Sequence, residues 1–96
     1  MSIEKLISDI ENSLNLDDFM ADLFTYEERE SFGLDDNSAD IKILEVFLRK
    51  KYNVTNFNSK YRNEDGEYYH SGDFVFDGSK YKFGFFPAGG TFWAQK

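Results

Sequence analysis

The sequence predicts an α+β domain, with three to four N-terminal helices packed on one face of a C-terminal four-stranded antiparallel β-meander. Three observations carry that expectation. Ala39 to Tyr52, ADIKILEVFLRKKY, is apolar around half its circumference at helical period, so it reads as a central helix. After Tyr52 the periodicity becomes alternating, and Asp65-Gly66 and Asp77-Gly78 supply two-residue hairpin turns. Charge divides the chain at nearly the same place. Residues 1–45 hold thirteen acidic and three basic side chains (net −10), and residues 46–96 hold five acidic and eight basic (net +3). Residues 1–96 are therefore expected to be a single domain, with an acidic helical half over 1–52 and an aromatic sheet half over 53–96.

In chain order, Ser2 can cap a first helix whose Ile3, Leu6, Ile7, Ile10 and Leu14 share one face. Asn15 and Asp17 are cap-type residues and begin a second segment, with Phe19, Met20, Leu23 and Phe24 inward and Asp18 and Asp22 one turn apart outside. Were that helix unbroken, Glu27 and Glu30 would fall on its apolar arc. Thr25 and Glu28 instead have the spacing of a capping box, which restarts the helix at Thr25, and Gly33 terminates it. Residues 34–38 are rich in cap formers and lead into the central helix. There Ile41, Leu44, Leu48 and Tyr52 form a stripe that Ile43 and Phe47 widen, with Lys42, Glu45 and Arg49 as the wet edge. The acids before this helix and Arg49, Lys50 and Lys51 at its end suit the helix dipole, which by itself is a sufficient reason for those charges.

A turn at 77–78 sets Phe76 opposite Ser79, Val75 opposite Lys80, Phe74 opposite Tyr81 and Asp73 opposite Lys82. Phe74, Phe76, Tyr81, Phe83 and Phe85 then share one face, and Asp73, Val75, Lys80, Lys82 and Gly84 the other, with Asp73 and Lys82 as a cross-strand ion pair. Ser71-Gly72 is expected to be a bulge. Pro87 to Gly90 is a turn into a last strand, Thr91 to Ala94.

The absence of cysteine removes disulfides and thiolate chemistry and fits a reducing compartment. The N-terminal MSIEKLISDIENS is too charged for a signal peptide or membrane span, so a cytoplasmic location is expected. A net charge of −7 argues against general nucleic-acid binding and for a basic protein partner. No catalytic, metal-binding or cofactor signature emerges. His70, the only histidine, lies in no known catalytic pattern and reads as a strand residue. The segment from Asp35 to Asp40 lacks the glycine and glutamate of a calcium loop, and Gly89-Gly90 lacks the lysine of a phosphate loop.

Two features remain as candidate sites. Asp17, Asp18, Asp22, Glu27, Glu28, Glu30, Asp35, Asp36 and Asp40 form a dense acidic run offset only by Arg29. Such a surface can simply keep a protein soluble. Like charges one turn apart, as at Asp18 and Asp22, nevertheless weaken a helix, and little nearby in sequence compensates. Thirteen of the eighteen aromatic residues lie from Tyr52 to Trp93, and Tyr68, Tyr69, Lys80, Lys82 and Trp93 could make a binding face on the sheet. An aromatic-rich core with rim packing is the plain alternative.

In size, lack of cysteine and the acidic segments LNLDDFMADLF, TYEERE and GLDDNSAD, the chain resembles the small anti-restriction and anti-CRISPR proteins of bacteriophages, several of which mimic DNA. It is similar on the same grounds to bacterial immunity proteins that block nuclease toxins. The resemblance implies a non-enzymatic inhibitor in a bacterial host cell, presenting its acidic helices to the basic groove of a nuclease or defence protein. A ligand- or single-strand-binding module using the sheet face stays open beside it, as do an enzyme centred on His70 and a homodimer.

Overall fold

A computed structural model describes residues 2–15 and 18–96. Among these residues four α-helices, α1 (Ile3–Leu14), α2 (Phe19–Leu23), α3 (Tyr26–Phe32) and α4 (Asp40–Tyr52), precede four strands, β1 (Thr55–Glu64), β2 (Glu67–Phe76), β3 (Ser79–Phe86) and β4 (Thr91–Gln95). The strands form one antiparallel meander in the order β1-β2-β3-β4. The helices cover one face of it, the expected α+β arrangement. No helix among the described residues is long and apolar enough to cross a membrane.

The helix boundaries follow from side chains that satisfy orphan backbone N–H groups. Ser2 accepts from the Lys5 N–H at 3.2 Å, and Asp18 accepts from the Ala21 N–H at 3.1 Å. At α3 the capping box is complete: Thr25 Oγ1 accepts from the Glu28 N–H at 3.2 Å, and Glu28 Oε1 from the Thr25 N–H at 2.9 Å. Gly33 then ends the helix at φ 73°. The start of α4 differs from the expectation. Its N-cap is Ala39, with no side-chain hydrogen bond, because the cap formers before it close a turn on themselves. Asp35 Oδ1 accepts from the Asn37 N–H at 2.8 Å, and Ser38 Oγ from the Asp35 N–H at 3.0 Å. The helix ends at Asn53, left-handed at φ 54°.

The phase of α4 is as read, and its buried arc is wider. Ile43, Leu44, Val46, Phe47, Leu48 and Tyr52 are buried, Ile41 is partly so, and Glu45 meets Arg49 Nε at 3.0 Å on the wet edge. From the sheet, Phe74, Phe76, Tyr81, Phe83, Phe85 and Phe92 point into the same core. Phe19 meets Phe85 at 5.8 Å and Tyr52 meets Phe76 at 6.1 Å between ring centroids. The helical layer leaves β1 outside, so Tyr61 is 63% exposed.

Both hairpins turn where expected, with Asp65, Gly66, Asp77 and Gly78 all at positive φ, and the second has the register read from sequence. Two details are corrected. The bulge lies in β1, where three residue steps from Thr55 to Asn58 match two from Val75 to Asp73 on β2, with Asn56 at φ 52°. Gly72 pairs regularly with Ser59, just past the bulge; a Cβ there would sit 1.8 Å from the Asn58 carbonyl oxygen. Asp73 does face Lys82 in register, but its ion pair runs diagonally to Lys80 at 3.9 Å, and its Oδ1 accepts from Asn58 Nδ2 at 3.3 Å.

Candidate functional site

The acidic residues do not form one surface: some line a concavity at one end of α4 and some at the other, with Asp18 and Asp22 of the short α2 falling on different sides. At the C-terminal end of α4 a cleft of about 480 Å³ is lined by residues that include Asp9, Ser13, Asp22, Lys51 and Tyr52. The carboxylates here have structural partners. The fully buried Ser13 hydroxyl lies 2.7 Å from Asp22 Oδ2 and 2.9 Å from the Asp9 carbonyl, one proton between two acceptors. Tyr52 donates to Asp9 Oδ2, and Lys5 Nζ lies 3.2 Å from Asp9 Oδ1. Lys51 pairs with Glu28. That ammonium, with the Thr25 N–H second, holds the Glu28 carboxyl below its usual range. Burial, with the Asp9 carboxylate second, pushes the Tyr52 phenol up to about 12.

This corrects the argument from uncompensated repulsion at Asp18 and Asp22. Asp18 is the cap of α2, where negative charge is favoured, and Asp22 receives the Ser13 hydroxyl. The compensation comes from α1, nine residues back from Asp22, which no local sequence window shows.

The other end of α4 is different. Asp40 is eleven residues before Lys51, about 16 Å along the helix axis. Around it Asp18, Asp35, Asp36 and Asp40 rim a concavity of about 320 Å³ whose floor includes Ile43 and Pro87. Among the described residues these four carboxylates take part in no ion pair. Glu27 and Glu30 are exposed on α3 and likewise unpaired. Arg29, the cation set against this run, lies over the Tyr26 ring at 5.9 Å, and its buried Nε has no hydrogen-bond partner among the described residues. Asp17 lies outside the described residues. No group of three or more carboxylates or imidazoles among the described residues could hold a metal ion.

The open face of the sheet gathers a second set. Alternation and register place Tyr69, Lys80, Lys82 and Trp93 on it. Tyr68 is on the other face, stacked on Tyr61 at 5.8 Å beyond the helices, so it does not join them. Three further residues do. Arg62 opposes Tyr69, Lys60 opposes Ser71, and Phe86 stacks on Tyr69 at 6.0 Å. Counting back from Asp65-Gly66 would have placed Lys60 and Arg62 there. The Trp93 indole lies over Gly84, where a Cβ would meet Nε1 at 2.2 Å. His70 is on the helix side, half-buried between Tyr61 at 5.3 Å and Phe85 at 6.1 Å, and burial pulls its pKa below the usual value. Comparison of the chain with family models, with curated proteins and with solved structures finds no match.

Proposed function

We propose that the chain is a non-enzymatic inhibitor that offers the carboxylates of Asp18, Asp35, Asp36 and Asp40 to the basic groove of a nucleic-acid-binding or nucleic-acid-cutting protein. One observation carries the reading: four carboxylates converge on one concavity with no cation paired to them among the described residues, while Asp9 and Glu28 at the other end of α4 are each paired with a lysine. A carboxylate kept only for fold or cap would gain from a nearby lysine. A rim left without one projects a field that speeds encounter with a basic surface and makes the complex salt-sensitive. Tyr26, 64% exposed beside Glu27 and Glu30, adds an aromatic ring of the kind that anchors interfaces. An anti-restriction or anti-CRISPR protein and an immunity protein against a nuclease toxin share this contact chemistry and differ in the partner.

The test is calorimetric binding to purified bacterial nucleases and defence proteins, comparing the native chain with one carrying Asp18→Asn, Asp35→Asn, Asp36→Asn and Asp40→Asn. Asparagine caps helices about as well as aspartate and can rebuild the turn at 35–37, so the fold should persist. Asp22 and Glu28 are left alone because their charges serve the fold. The neutralised rim should weaken binding roughly 10-fold or more at low salt, through slower association. Equal binding by both proteins would refute the proposal.

A further inference from the structure

The open sheet face lies opposite the helices, and its chemistry is the reverse of theirs. Lys60 and Arg62 on β1 and Lys80 and Lys82 on β3 all project from it. Its central acid, Asp73, is held by Lys80 and Asn58, and the remaining acids of this face, Glu64 and Glu67, stand at the far hairpin. Beside the cations, at the β4 edge, is a ridge. The Trp93 indole, 45% exposed, lies on the Gly84 backbone and separates two concavities. One, of about 490 Å³, includes Lys60, Arg62, Ser71 and Lys82 in its lining, and the other, of about 280 Å³, includes Tyr69, Phe86 and Thr91.

We propose that this face binds single-stranded nucleic acid, with a base stacked on Trp93 and the adjoining phosphates held by Lys60, Arg62 and Lys82. The occupant follows from the pairing of groups. An exposed indole seated on glycine presents a flat π-surface, which any unpaired base can cover and which a base inside a duplex cannot reach. The lysines and arginine beside it complement a polyanion rather than a neutral ligand. Four strands spaced about 4.8 Å apart give a platform about 14 Å across, room for two or three stacked bases. The Glu64 and Glu67 carboxylates repel phosphate from the hairpin end, so the strand's path crosses the middle of the sheet. This surface and the acidic rim are separate, and either can fail without the other.

The experiment is fluorescence anisotropy of labelled oligothymidylate and oligouridylate, each roughly ten nucleotides long, with a duplex of equal length as the third probe. Single strands should bind at low salt and quench Trp93. The slope of log K against log salt should be about −2 if three phosphates are neutralised, since single strands give about −0.7 per phosphate. The DNA and RNA arms identify which sugar is preferred, and tight binding of either supports the proposal. Trp93→Ala should weaken binding roughly 5- to 150-fold, and Trp93→Phe should restore most of it. Lys60→Ala with Arg62→Ala should make the slope shallower by about 1.4. Melting curves show that each variant is folded. No binding at low salt, preference for the duplex, or affinity unchanged by Trp93→Ala would each overturn the proposal. So would a salt-sensitive dimer lost in the Lys60/Arg62 variant with no oligonucleotide bound, since the face would then serve a second copy of the chain.

Discussion

Gly72 and Gly84 sit in adjacent strands, and replacing each with alanine should have different consequences. By conformational entropy alone each change would stabilise the chain by about 0.4–1 kcal/mol, because neither glycine has positive φ. At Gly72 the added Cβ would lie 1.8 Å from the Asn58 carbonyl oxygen and 2.9 Å from the Ser59 Cα, both backbone atoms of the bulged strand. Reaching the 3.0 Å that real Cβ contacts require moves β1 by at least 1.2 Å. Such a shift weakens one or two ladder hydrogen bonds, worth about 1 kcal/mol each, and adds about 1–3 kcal/mol of overpacking. The net destabilisation is about 2–4 kcal/mol, a fall in Tm of roughly 8–30 °C for a domain of this size. At Gly84 the clash is with the Trp93 indole, a side chain that can swing into solvent. There the stability change should stay within about 1 kcal/mol, while Trp93 emission moves to the red. Calorimetry and fluorescence on the two variants read both effects. A Gly72→Ala protein as stable as the parent would refute the close approach at the bulge, and an unchanged Gly84→Ala spectrum would refute the seating of the indole.

Leu48→Ala empties a fully buried site on α4 and should cost about 2–5 kcal/mol, while Lys42→Ala on the exposed edge should stay within about 0.5 kcal/mol, as denaturant titration can check. Thr25→Ala removes half of the capping box and should cost about 1 kcal/mol by the same assay; no loss would mean the box contributes nothing to α3. Tyr52 supplies a pH test. The folded state holds its phenolic proton more tightly than the unfolded chain, whose phenol titrates near 10.0, so this stabilisation is complete below pH 10 and is lost as pH rises towards about 12. Tyr52→Phe should therefore flatten the decline of stability over that alkaline window, and an unchanged profile would show that Tyr52 does not cause it.

What was legible in the sequence was local. Thr25 and Glu28 reach each other within one turn, and Asp77-Gly78 sets the register of the strands it joins, so both could be read without knowing the rest of the fold. Gly72 gave half a signal. A glycine inside a strand points to a bulge or a close approach, and only the pairing with β1 shows that the bulge is in the partner strand. Ser13 and Asp22 meet because α2 folds back on α1, and Asp73 chooses Lys80 over Lys82 by side-chain reach across the sheet. Neither is a property of neighbouring letters. The acidic run was visible as composition, but its division into a bonded end and an unpaired rim depends on which carboxylates α4 brings near Lys51.

An inhibitor of the proposed kind works only if the acidic rim occupies a site built for nucleic acid. The direct measurement loads a nuclease or defence protein that binds this chain with labelled nucleic acid and then adds the chain. Native protein should release the label in proportion to its own binding, and the variant with asparagine at 18, 35, 36 and 40 should release little. A ternary complex that keeps its nucleic acid, or equal release by both proteins, would contradict the claim.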